Sequence, residues 1–370
     1  MKLCILSMQR VPNTGSVLQS YSLKKILTEN GHSVKFIDIE SREDDNILMA
    51  NNRKDFSVEC DNRTGILSKL KKVDKYFFNR IRIRRLNSKQ DDIFKEFLIN
   101  ELGIAGNQDI FDCCIIGSDE VFNCSANTAW GFTTQLFGDV KQAKKVITYA
   151  ASCGATAISD IPQSVKKKIK QAFEKISAFS VRDKNTFDFV RGLSNTPVRF
   201  NLDPVIVGDF EQEISQTSIE TKLPKRYCIV YSYYNRINNT DEISTIIDFC
   251  RTNKMEIISL GAPQGWISKH IVLNPFEILA AFKNAEFVIT DTFHGTIFAA
   301  KYSKHFMTMI RDSNRNKMKS LIEQLEIGEH YAASIADINR IYKIEKDQEK
   351  IDQIAYNARK ETIEYLNAAL

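Results

Sequence analysis

The chain has 370 residues, 43% hydrophobic and 26% charged, with 51 basic and 46 acidic side chains and a net charge of +5. Such a length suits two domains, and such a balance is that of a globular protein; fibrous, collagen-like and disordered classes are excluded. No stretch reaches the roughly 20 uncharged apolar residues that span a bilayer. The apolar run at the N-terminus is too short for a signal-peptide core, so the chain is expected in the cytoplasm.

The first forty residues read as strand, loop, helix, strand. Leu3–Met8 is an apolar strand, Gln9–Gly15 a loop with Pro12, Asn13 and Gly15, Ser16–Asn30 a helix closed by Gly31, and Val34–Ile39 a second strand. A polar excursion over 41–65 and helices to about residue 101 follow. Phe111–Gly117 and Lys145–Ala150 are strands, Ile161–Lys175 a helix, Ala178–Arg182 a strand, Asp183–Arg191 a helix and Val198–Leu202 a strand. The polar stretch 208–224 marks the linker. A second α/β run then begins, with strands at Tyr227–Tyr233, Glu256–Leu260, Phe287–Thr290 and His305–Ile310 and helices at Asp241–Lys254, Pro275–Lys283 and after Thr292. The last 25 residues form a charged helix. Alternating strands and helices predict parallel sheets. The expected layout is a Rossmann-like domain over 1–207, the linker 208–224, a second Rossmann-like domain over 225–345, and a helix 346–370 crossing back.

Charge is concentrated between Lys69 and Arg85, where eight basic residues face one acid, Asp74. Ile66, Leu70, Val73, Phe77 and Ile81 make an apolar stripe through the same segment. A surface helix with a solvated face explains this; peripheral contact of 66–86 with an anionic membrane is the sharper expectation. No nucleic-acid-binding motif accompanies the charge, so no nucleic-acid partner is expected. Eight cysteines include no C-x-x-C pair, and reduced core residues account for them; Cys153, in a loop-like stretch, stands apart.

Four places carry candidate chemistry. At Val288–Thr296 a buried strand ends and a helix begins, so Thr292 can cap the helix, Gly295 can admit a ligand close to the backbone, and free N–H groups favour an anion. His294 there can donate to phosphate or act as a general acid. Arg182 falls at the end of a strand on the ligand side of a sheet and can clamp a carboxylate or phosphate, or pair with a nearby acid. Ser118 and Asp119 follow an apolar strand; Asp119 can orient a hydroxyl, act as a base or cap a turn. Asn13 to Ser16 can bind a ligand through N–H groups or cap a helix. His/Cys/Asp/Glu clusters of ligand spacing are absent, so no metal is expected.

Asn13-Thr14-Gly15-Ser16-Val17-Leu18-Gln19-Ser20-Tyr21, Ile116-Gly117-Ser118-Asp119, Tyr149-Ala150-Ala151-Ser152, Ser180-Val181-Arg182-Asp183, Leu202-Asp203-Pro204 and Thr290-Asp291-Thr292-Phe293-His294-Gly295, in this order, resemble the polysaccharide pyruvyl transferase family. The resemblance implies an α/β, glycosyltransferase-B-like fold, two Rossmann-like domains facing across a cleft. It implies transfer of a pyruvyl group from phosphoenolpyruvate, a co-substrate and not a cofactor, to a sugar or lipid-linked oligosaccharide at the inner face of the membrane, giving a ketal. The donor-binding features map onto Arg182, Thr292, Phe293 and His294, with Gly295 beside them; Arg315, in the loop after the strand His305–Ile310, is either a further anion contact or a surface charge. His294 and Asp119 are the catalytic candidates. Asn13, Gly15, Ser118, Asp119 and Ser152 are expected on the acceptor side or in the cleft. Glu120 and Phe122 stand where the family often has Gln and Trp, a change expected to bear on the acceptor, and Cys153 is expected to widen the same region. A glycosyltransferase using a sugar nucleotide, and a non-catalytic glycan-binding module, are the alternatives.

Overall fold

The computed structural model describes residues 1–50 (backbone alone for 47–50), 85, 86, 88–103, 109–124 and 128–370. The expected basic helix 66–86 lies almost wholly outside the described residues.

Six parallel strands form the first sheet: β1 (Lys2–Leu6), β2 (Ser33–Phe36), β3 (Phe111–Ile116), β4 (Ala143–Thr148), β5 (Ile176–Val181) and β6 (Val198–Phe200), in the order β2-β1-β3-β4-β5-β6. Six more form the second: β7 (Tyr227–Tyr231), β8 (Glu256–Ser259), β9 (Lys269–His270), β10 (Phe287–Thr290), β11 (Phe306–Met309) and β12 (Tyr331–Ala332), in the order β12-β11-β10-β7-β8-β9. The inner strands are apolar almost throughout because helices cover both faces of a parallel sheet. Ile115, Ile116, Ile229 and Ile289 have no exposed surface.

Strand order fixes where ligands bind. In the first sheet the connections leave β1 and β3 in opposite directions; in the second, β7 and β10. A crevice opens at the C-terminal ends of strands at each such switch point. The residues after β1, β3, β7 and β10 therefore hold the site.

The helices used below are α1 (Thr14–Glu29), α2 (Glu43–Ala50), α3 (88–97), α4 (Gln163–Phe173), α5 (Lys184–Arg191), α6 (Pro204–Val207), α7 (Glu211–Ser215), α8 (Thr240–Thr252), α9 (Pro275–Asn284), α10 (Phe293–Tyr302), α11 (Arg315–Gln324), α12 (Ile338–Ile341) and α13 (Gln348–Ala369). The polar excursion after β2 begins with α2, whose buried Asp45 accepts from Thr134 and Lys168. The stretch 208–224 is packed rather than open: it carries α7 and buries Phe210, Ile214 and Ile219.

The two halves share one apolar core. Tyr21 of α1 meets Phe276 of α9 edge-on at 5.0 Å, and Phe97 of α3 meets the same ring at 5.1 Å. Lys301, at the end of α10, donates to the carbonyls of Val205, Ile206 and Gly208, the unsatisfied acceptors expected at the C-terminal end of a helix. Helix α13 returns to the first sheet: Tyr365 donates to the Thr148 carbonyl at 2.7 Å, and Thr362 Oγ1 lies 2.8 Å from the Tyr149 hydroxyl.

Candidate active site

The site begins with two loops of the first half. Gly117, between β3 and Asp119, has φ +122, and a Cβ there would overlap the Tyr149 carbonyl oxygen; only glycine fits. Asp119 is itself left-handed at φ +76, a conformation that Asp tolerates better than most residues. Its Oδ2 accepts from Ser16 Oγ at 2.7 Å in the first turn of α1, and its Oδ1 accepts from the Glu120 N–H at 2.9 Å. Asn13 caps α1 by accepting from the Gly15 N–H.

Arg182 follows β5, and Asp203, which caps α6, lies beside it. Arg182 Nη1 donates to Asp203 Oδ2 at 2.8 Å, and its Nη2 lies 3.7 Å from Asp119 Oδ1. Its side chain is 3% exposed. Burial opposes the guanidinium charge, yet Asp203, Asp119, Asp183 and Glu120 raise its pKa. Burial would likewise push the Asp203 carboxyl up; His294, Arg182 and the Val205 N–H instead hold it down to about 2. Asp203 is thus a permanent anion at the centre of the site.

The second half supplies the facing groups. Thr292 caps α10 through the Gly295 N–H at 3.0 Å. Phe293 lies under the Arg182 guanidinium, 4.5 Å from ring to cation. His294 crosses to the first half: its Nε2 is 3.5 Å from Asp203 Oδ2, and its ring lies so close to Gly15 that a Cβ there would overlap Nδ1 and Cγ. Arg182 Nε and His294 Nε2 are buried and have no hydrogen-bond partner among the described residues. Two such atoms beside one carboxylate are what a polar ligand would complete.

Two cavities open here. A cavity of about 160 Å³ is lined by Asn13, Thr14, Phe94, Tyr231, Thr292 and His294, among others, with no lysine or arginine among its described lining residues. A larger one, about 550 Å³, is lined by Arg236, Arg315 and Lys317 from the second half and by Glu120, Asn123 and Gly154 from the first. Lys317 Nζ pairs with Glu120 Oε1 across the cleft at 2.7 Å. Burial would raise the Glu120 carboxyl, but Lys317, Asn123 and Arg182 hold it down to about 2. Tyr233 lines both cavities.

Several expected residues take other positions. Gly295 faces Thr290 Oγ1, Thr292 Oγ1 and Tyr231, with which a Cβ would clash; close packing requires the glycine, not ligand approach. Ser118 and Ser152 are fully buried. Ser118 donates to the Ala150 carbonyl, and Ser152 to Asp183, the cap of α5; both support loops from beneath rather than lining the cleft. Arg315 pairs with Asp312 and belongs to the larger cavity, not to that of His294. Phe122 stacks in the core against Phe137 at 5.3 Å, away from any acceptor. Cys153 is buried, its Sγ accepting from Asn185 and donating to the Thr156 carbonyl, so it widens nothing. Asp203, Tyr233, Arg236 and Lys317 received no role from the sequence. The Asp-Pro pair after a strand marks Asp203 as a helix cap, but only the fold sets it against His294. Arg236 and Lys317 have no local signal.

A doubly wound pair of parallel domains with the site between their switch points defines a glycosyltransferase-B-like protein. The chain resembles the UDP-GlcNAc 2-epimerase of Neisseria meningitidis, solved bound to UDP-GlcNAc, over 100% of both chains at 8% identity and a TM-score of 0.50. It also resembles the UDP-GlcNAc 2-epimerase of Methanocaldococcus jannaschii (96% of this chain, 92% of that one, 12% identity, TM-score 0.46) and the glycosyltransferase SsfS6 of Streptomyces sp. SF2575, complexed with thymidine diphosphate (97% and 96%, 12%, 0.44). No curated protein matches the sequence. The profile of the polysaccharide pyruvyl transferase family matches residues 13–313, and the chain belongs to that family; it is a transferase. Among the described residues no group of three or more His, Cys, Asp or Glu is placed to hold a metal ion, and no helix is long and apolar enough to cross a membrane.

Proposed function

We propose that the protein transfers a pyruvyl group from phosphoenolpyruvate to two hydroxyls of a sugar, free or on a lipid-linked oligosaccharide, to form a ketal. The observation that carries this reading is the pair of buried, unpartnered nitrogens, Arg182 Nε and His294 Nε2, flanking Asp203 at the join of the two switch points. The donor carries a carboxylate and a phosphate, and the larger cavity offers Arg236, Arg315 and Lys317 beside this pair. The described lining of the smaller cavity holds no lysine, arginine or carboxylate and suits a polyol. Its 160 Å³ is close to that of a cavity that encloses benzene, too small for a whole sugar nucleotide.

The reaction asks for one proton to be delivered and two to be removed. His294, beside the Asp203 carboxylate, donates a proton to the enol methylene, which becomes the methyl group. The first sugar hydroxyl adds to the cationic carbon and loses its proton. The carbon–oxygen bond to phosphate breaks, and the phosphate leaves with one proton. The second hydroxyl closes the ketal and returns a proton to the imidazole. Arg182 stays buried and supports the charge of the donor and the position of Asp119, which ties α1 to the site through Ser16.

Thermal unfolding with phosphoenolpyruvate beside a set of sugar nucleotides tests the donor. At about 100 times its dissociation constant a ligand adds roughly 2.7 kcal/mol to stability. A rise with phosphoenolpyruvate, lost in Lys317→Ala, is the expected result. A rise with a sugar nucleotide alone would replace this reading with glycosyl transfer.

A further inference from the structure

We infer that Tyr233 is the stacking platform for the acceptor sugar, at the border shared by the donor cavity and the acceptor cavity; the inference rests on the pyruvyl-transfer reading. Tyr233 lies on the loop after β7, at the switch point of the second half. It lines both the cavity of His294 and that of Lys317. Its side chain is 42% exposed, although nearly all large apolar residues near the site are buried.

The two faces of the ring differ. The Arg236 guanidinium lies 4.5 Å from the ring centre, and Arg236 belongs to the cationic cavity alone. That face is taken. Tyr233 also lines the smaller cavity, where Asn13, Thr14 and Ser232 supply hydrogen-bonding groups around an aromatic wall. A pyranose has an apolar face of C–H groups and a rim of hydroxyls. An exposed aromatic ring with polar neighbours matches both surfaces, and a ring stacks at small entropic cost because it has few torsions to fix.

The loop is built to hold the ring still. Gln264 Nε2 donates to the carbonyls of Ser232 and Tyr233, Ser232 Oγ donates to Asp291 at 2.7 Å, and Arg236 donates to the Asp291 carbonyl. Asn235 turns the chain at φ +50, which returns Arg236 onto the ring that precedes it by three residues. A sugar against the ring in the smaller cavity would lie beside His294, which lines it too, while the donor's charges remain in the larger cavity with Arg236 and Lys317.

Saturation-transfer NMR with methyl β-glycosides of glucose, galactose, mannose and N-acetylmannosamine tests this, in parallel with the phosphoenolpyruvate thermal shift. The expected result is saturation of at least one glycoside by the wild type and by Tyr233→Phe. Tyr233→Ala should bind that glycoside about tenfold more weakly, the size of one aromatic contact, while phosphoenolpyruvate still raises its unfolding temperature. Retained glycoside binding in Tyr233→Ala overturns the inference. So does the absence of saturation in the wild type for every glycoside, or the loss of the phosphoenolpyruvate shift in Tyr233→Ala to the same extent as glycoside binding. Failure of the donor reading is separate: phosphoenolpyruvate would then not shift the wild type.

Discussion

Asp203 and Asp291 follow strands of the two halves, each is essentially unexposed, and each is bonded to an arginine, yet their acidities move in opposite directions. Burial raises Asp291 against the pull of Ser232, Arg236 and Arg311. At Asp203 burial is outweighed by His294, Arg182 and the Val205 N–H. The difference lies in how the arginines are shared. Arg311 divides its donors between Asp291 at 3.0 Å and a two-pronged pair with Glu242 at 2.7 and 3.0 Å. Arg182 gives its short contact to Asp203 alone, and Asp203 also accepts from the Val205 N–H, whereas the second arginine near Asp291, Arg236, stays 3.9 Å away. Burial alone therefore does not mark a working carboxylate. The first half places a fixed negative charge against an imidazole, and the second uses its aspartate to hold loops.

The largest effect should come from His294. His294→Ala should lower turnover about 10²- to 10⁴-fold, the usual contribution of a general acid; wild-type turnover would remove the imidazole from the mechanism. Gly15→Ala offers a second route to the same loss, because its methyl group would occupy the space of the ring. Steady-state kinetics with both variants separates loss of the imidazole from its displacement.

Next come the two arginines. Arg182→Leu leaves Asp203 buried without its arginine and should cost about 3–5 kcal/mol in urea unfolding. Arg311→Leu, at a side chain 24% exposed, breaks a shared and better solvated pair and should cost about 1.5–3 kcal/mol. Equal losses would show that the two carboxylates are alike after all.

The pH dependence of stability gives a smaller, signed test. The Asp203 carboxyl falls from its ordinary 3.8 to about 2 in the fold. Its contribution, about 2 kcal/mol from that difference, is present above pH 3.8 and lost as the pH falls through about 2. Asp203→Asn should flatten the acid limb in that window. The Asp291 carboxyl is raised, so its contribution is present at low pH and lost as the pH rises through its folded value. Asp291→Asn should leave the window between 4 and 2 unchanged.

Much of this molecule was legible before any coordinates. The strands around Phe111–Ile116 and Phe287–Thr290 announce themselves as unbroken apolar runs, and Gly31 and Asn274-Pro275 mark helix ends by elementary capping rules. Two-residue edge strands such as β9 and β12 leave no periodicity to detect. His294 and Arg182 were visible because each follows a buried strand, where open sheets bind ligands. Tyr233 was read as the end of a strand, and Lys317 received no reading at all. Their roles arise only when α11 and the loop after β7 meet the first half across the cleft, a contact between residues far apart in sequence. Ser152 and Gly295 erred the other way: polar or small residues near a strand end can equally be packing devices, and the local sequence does not distinguish the two.

The smallest expected effect concerns the pair that spans the cleft, Glu120 and Lys317. Both side chains keep some contact with solvent, so screening discounts what their attraction adds to stability. Its influence on the donor should be easier to measure. The Glu120 carboxylate, ionised down to about pH 2, lies in the cavity offered to a multiply charged anion and holds one of that cavity's cations. Glu120→Gln keeps the size of the side chain and an acceptor for Lys317, but removes the charge. Phosphoenolpyruvate should bind this variant several-fold more tightly, with the gain shrinking as salt is raised because the contact is open to ions. Unchanged or weaker binding by calorimetry would mean that Glu120 positions Lys317 for the donor instead of competing with it, and the cross-cleft pair would then resemble the scaffolding around Asp291 rather than the working charges around Asp203.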